Sequence, residues 1–102
     1  MEPTPVQLRA FLQRVSVAAD EGRVCVTTYV VERAADELQW DQWDIIEQLK
    51  ELDIVDHRHC ETSRAPTADL IWVFTPTLWD GDQVWIRLIE RDGIVVVGFH
   101  KA

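Results

Sequence analysis

The sequence predicts an α+β domain, with N-terminal helices packed on an antiparallel sheet of about four strands. Three observations carry this prediction. Apolar residues between positions 4 and 52 recur at helical spacing. From Asp53 onward the period changes to two, as in strands. Asp-Gly pairs at 80–81 and 92–93 mark tight turns between apolar runs. A length of 102 residues matches one domain, residues 1–102, built around a single core.

Each element has its own signal. Thr4-Pro5-Val6-Gln7 reads as a capping box with proline at the first helical position, where its missing N–H costs nothing. Leu8, Phe11, Leu12, Val15 and Ala19 then form a helical stripe, and Gly22 stops it. The β-branched run "RVCVTT" suits an edge strand or an extended link. Val31, Ala34, Ala35 and Leu38 make a second stripe, and "WDQWDIIEQLKEL" a third helix capped by Asp41 with Ile45, Ile46, Leu49 and Leu52 inward. Asp44, Glu47 and Glu51 share the opposite face of that helix, the pattern of a solvated surface.

In the second half, alternation from Asp53 sends Ile54, Asp56, Arg58 and Cys60 one way and Val55, His57 and His59 the other. "SRAPTAD" is a loop by composition, and "LIWVFT" is a nearly continuous apolar strand. "VWIRLIE" alternates Val84, Ile86 and Leu88 with Trp85 and Arg87, and Asp92-Gly93 should fold it into a hairpin with "IVVVGFH".

Composition excludes several classes. Apolar residues make up 47% of the chain, too many for a disordered protein. The longest apolar run, "GIVVVGF", is far short of the roughly 20 residues of a membrane span, and no signal peptide is visible. Two cysteines, Cys25 and Cys60, are too few for a disulfide scaffold, so a reduced, cytoplasmic protein is expected. The formal charge of −8 is unevenly spread. Residues 32–56 hold nine acids against Arg33 and Lys50, whereas the remainder sets nine acids against eight bases. The acidity therefore belongs to one segment, and a surface of different sign can exist elsewhere.

The stretch "DHRHC" (Asp56–Cys60) concentrates the candidate chemistry. Strand alternation puts His57 and His59 on one face, but zinc wants three or four ligands, and the only other histidine is His100. No metal site and no cofactor are expected, and Cys60 reads as a small hydrophobe rather than a nucleophile. Acid–base work on RNA is the chemistry these residues suit. Cleavage by the 2′-hydroxyl needs a base, an acid and cations for the phosphate. His57, His59, Arg58, Arg87 and Trp85, with His100 and Lys101 at the chain's end, offer these, Trp85 supplying a stacking platform. The other reading is a set of solvent-facing strand residues.

From "GRVCVTT" onward, about four-fifths of the chain resembles the MqsR family, small bacterial toxins of type II toxin–antitoxin systems with a RelE-like fold. The matching features are "ADEL" (Ala35–Leu38), "L-x-E-x-D" (Leu49–Asp53), the pair Ile71-Trp72, "G-x-x-V-aromatic-x-basic" (Gly81–Arg87), and "V-V-x-F-basic-K" (Val96–Lys101), in order. The resemblance implies a metal-independent endoribonuclease that cleaves messenger RNA and is neutralised by a cognate antitoxin protein. It also implies functional positions, held in the family by lysine, glutamine, tyrosine and lysine. Here they carry Asp56 (with His57 adjacent), Val73, Trp85 and His100. On this basis His57 and His100 are the acid–base candidates, and Arg58, Trp85, Arg87 and Lys101 the RNA contacts. The alternative is a catalytically silent, acidic protein-interaction module that keeps the same fold.

Overall fold

The computed structural model describes residues 2–62 and 69–101, without the side chain of Lys101. The predicted loop "SRAPTAD" falls almost wholly on residues 63–68, outside the described residues. Three helices come first: α1 (Pro5–Asp20), α2 (Thr28–Leu38) and α3 (Gln42–Glu51), with a short strand β1 (Val24–Val26) between α1 and α2. A single 3₁₀ turn (Ile54–Asp56) leads into β2 (His57–Thr62), β3 (Leu70–Phe74), β4 (Val84–Arg91) and β5 (Ile94–Lys101). The architecture is α+β as expected, with five strands rather than about four. The order across the sheet is β1-β5-β4-β3-β2, antiparallel throughout except where β1 runs parallel to β5.

Local chemistry explains the element ends. The Thr4 hydroxyl accepts the Gln7 N–H while the Gln7 side-chain carbonyl accepts the Thr4 N–H, so the predicted capping box forms. Asp41 and Asp44 make the same reciprocal arrangement at α3. Asp92 (φ 52°) and Gly93 (φ 78°) both take left-handed backbone, as a two-residue type I′ turn requires, and β4 and β5 pair on either side of it.

The core lies between the helices and one face of the sheet. Phe11 is fully buried, stacked flat on Trp72 with ring centroids 4.0 Å apart, and 6.3 Å from Phe74. Trp72, Leu88 and Val97 form one cross-strand row of that face, and Phe74, Ile86 and Phe99 the next. The helical stripes hold with two rotations. Ala18 rather than Ala19 is buried in α1, and in α2 Val30 and Ala34 face inward while Val31 is half-buried and Ala35 exposed. A short helix with apolar residues at 30, 31, 34 and 35 leaves its inward line open by periodicity alone; packing against β5 selects it. As the stripe implied, Asp44, Glu47 and Glu51 are exposed.

Removing the Phe11 ring leaves a cavity bounded by Trp72 and Phe74, so Phe11→Ala should destabilise by about 3–5 kcal/mol. Urea unfolding followed by circular dichroism reads this, and a loss below about 1 kcal/mol would show that the stack is not central to the core.

Candidate nucleic-acid interface on the open sheet face

No helix covers the second face of the sheet among the described residues: the buried cluster that includes the helices draws its sheet residues from the first face only. Val73, Arg87 and Gly98 align across β3, β4 and β5 on the open face, as do Trp85 and His100 across β4 and β5. His59 pairs with Val73 and Glu61 with Ile71, so the far end of β2 adds to the same surface. His59, Glu61, Val73, Trp85, Arg87 and His100 line a shallow cleft of about 250 Å³.

A register shift between His57 and His59 decides which histidines reach this cleft. His57 pairs with Phe74 and His59 with Val73, so two steps along β2 answer one step along β3. Arg58 is the extra residue of a β-bulge. The expectation that His57 and His59 share a face is therefore corrected. His57 lies on the helix-packed side, its ring 5.3 Å from that of Phe74 and 6.3 Å from that of Trp72, edge-on to both. Its Nε2 sits 3.5 Å from Cys60 Sγ. The expected alternation also fails upstream, because residues 54–56 form the 3₁₀ turn instead of extended strand.

His57 thus stands on the face opposite His100, and the pairing of these two as acid and base has no shared surface. Burial lowers the His57 pKa and raises that of the Cys60 thiol, so both groups are held toward their neutral forms. Cys60, Leu70 and Trp72 line a groove of about 300 Å³ beside α1, together with Gln7 and Arg14. Arg14 is itself paired with Glu90 at 2.8 Å.

The remaining candidates gather on the open face. The Arg58 guanidinium lies 4.8 Å from the Trp85 ring centroid. His100 stacks on Trp85 nearly parallel, 5.9 Å between centroids. Arg58 comes from β2 and His100 from β5, on either side of β4, so the indole is contacted from both neighbouring sides of its strand. Arg87 and His59 both bond to Glu61, the His59 Nε2–Oε2 distance being 3.2 Å. Sequence reading passed over Glu61. Its signal was the i, i+2 spacing from His59, which puts both on one strand face downstream of the bulge. Lys101 lies in β5, but its side chain is outside the described residues.

Two positions implied by the family resemblance have structural duties. Asp56 accepts the Asp53 N–H at 2.9 Å, and its carbonyl accepts the Thr75 N–H. Val73 is buried and forms the cleft floor. Among the described residues no three of His, Cys, Asp and Glu gather as a metal site would need, and no helix is long and apolar enough to cross a membrane.

The position of His57 has a consequence for stability. With its folded pKa below the ordinary 6.5, the unfolded chain binds the proton first, so stability falls as pH drops below about 6.5. His57→Leu keeps an apolar filler against Trp72 and Phe74 but removes this proton. Urea midpoints at pH 8 and pH 5.5 should differ less in the variant than in the wild type; equal differences would place His57 in solvent. In comparison with known proteins, no family model matches the chain, and no curated protein matches it either.

Proposed function

We propose that the open sheet face binds single-stranded RNA and that the chain acts as a metal-independent endoribonuclease of the MqsR type, held in check by an antitoxin protein. The observation that carries this reading is the segregation of side chains by face. Arg58, Arg87, His59, His100 and Trp85 share the open face, while the acids of residues 32–51 sit on α2, α3 and their caps, in the layer behind the sheet. Single-stranded RNA is recognised by stacking on aromatic and guanidinium planes combined with cationic contacts to phosphate, and this face supplies both. A helix layer lies roughly 10 Å behind its sheet, a little over the roughly 8 Å Debye length of physiological salt, so salt weakens the repulsion from those acids at the open face.

Cleavage would proceed by attack of a 2′-hydroxyl on the adjacent phosphorus with departure of the 5′-oxygen. His100 takes the 2′-hydroxyl proton as general base, Arg87 and Arg58 hold the phosphate, and water protonates the departing 5′-oxygen. His59 stands three strand spacings from His100, each about 4.8 Å, too far to share one phosphodiester, so it contacts the RNA strand elsewhere and does not take the place of His57 in the chemistry.

A second reading, the silent protein-interaction module, is favoured by one observation. Trp43, Tyr29 and Trp79 are exposed at 70%, 67% and 97%, all away from the cleft. Large exposed aromatics of this kind suit a protein partner.

Purified protein incubated with messenger RNA in EDTA separates the readings. Cleavage should persist, and His100→Ala should slow it about 100-fold or more, the usual scale for a lost acid–base group. His57→Leu should leave it nearly unchanged. Neutralising two or three phosphates gives a log–log salt slope of about −1.4 to −2 for RNA binding. Absence of both cleavage and RNA binding would leave the protein-interaction reading in place.

A further inference from the structure

Arg87 and His59 present N–H groups toward one point from two different strands, β4 and β2, across β3. That point is filled by a carboxylate. Glu61 gives one oxygen to Arg87 Nη2 and the other to His59 Nε2, the latter at 3.2 Å. All three residues line the same cleft, above the apolar floor of Val73. Each is only part-exposed, the side-chain values being 46% for Arg87, 38% for Glu61 and 37% for His59.

A guanidinium and an imidazole flanking a two-oxygen anion are the elements that recognise a phosphodiester, whose two non-bridging oxygens have the spacing and charge of a carboxylate's. We infer that Arg87 and His59 form a phosphate subsite that the chain's own Glu61 keeps occupied. The inference rests on the RNA-binding reading of this face and adds which phosphate contact is central and what restrains it. An RNA phosphate enters by displacing the Glu61 carboxylate, which costs one ion pair for each one gained, so the wild-type face binds polyanions weakly for its cation content. The internal carboxylate also keeps the Arg87 guanidinium from standing unpaired beside a buried floor.

Glu61 takes part in no backbone cap and lies in an edge strand, so its neutral replacement preserves the fold. Glu61→Gln removes the competing charge while keeping the shape, and Glu61→Ala serves as a second variant of the same effect. Two probes are used on the whole chain: inorganic phosphate, followed through the Arg87 side-chain and His59 ring NMR signals, and a single-stranded RNA homopolymer, followed by fluorescence anisotropy.

Glu61→Gln should bind both probes roughly two- to fivefold more tightly than wild type, the scale of a single surface charge contact. Arg87→Ala placed on the Glu61→Gln background should abolish the gain. Tighter phosphate binding with no RNA binding by any variant keeps the subsite and overturns the RNA reading. Unchanged or weaker binding of both probes in Glu61→Gln and Glu61→Ala overturns the subsite, whatever the wild type does with RNA.

Discussion

The extra residue in β2 is the constraint on which the functional surface depends. Side chains of a strand alternate with a period of two, so one inserted residue moves everything before it to the other face. The insertion at Arg58 therefore divides a compact five-residue motif. His57 goes to the helix side against Phe74 and Trp72, while Arg58 and His59 go with Glu61 to the open face. The bulge is anchored on its N-terminal side by the 3₁₀ turn, whose last residue, Asp56, bonds to both Asp53 and Thr75. Without that shift, His57 and His59 would share the cleft and Arg58 would point into the core, where a charged guanidinium has no partner.

The two faces of the sheet solve the burial problem differently. One is covered by α1 and α2 in the ordinary manner, with large apolar rings and branched side chains meeting the helices. The other has no covering layer among the described residues, yet Ile71 and Val73 are buried there at 8% and 1% exposure. Val73 is shielded by the long side chains that line the cleft with it, whose aliphatic stems exclude water while their charged ends remain in it. The face is thus hydrophobic underneath and polar on top.

Much of the fold was legible because its signals are local. The capping boxes, the helical stripes, the change of period and the Asp-Gly turn each involve residues within a few positions of one another. The same is true of Trp85, Arg87 and His100, whose shared face follows from alternation along β4 and the register of a two-residue turn. What escaped was set by contacts distant in sequence. The parallel pairing of Val24–Val26 with Val95–Val97 leaves no local trace. The bulge carries no glycine or proline to announce it, so alternation alone puts His57 on the wrong face. Glu61 looked like an unremarkable strand acid until β4 brought Arg87 beside it.

The partnership of β1 with β5 also governs when the molecule can exist. Val24 and Val95 are 71 positions apart, and closing so long a loop is entropically expensive and slow relative to the turn that joins β4 and β5. During synthesis the three helices can coil as they emerge, but β1 waits without a neighbour, and α2 without the strand it packs on, until β5 is made. His100, Gly98 and the pairing that orients Trp85 arrive with that same strand. A nascent chain that lacks β5 therefore has an open face without His100. The cleft gains its last side and the sheet its last pairings in the same late step.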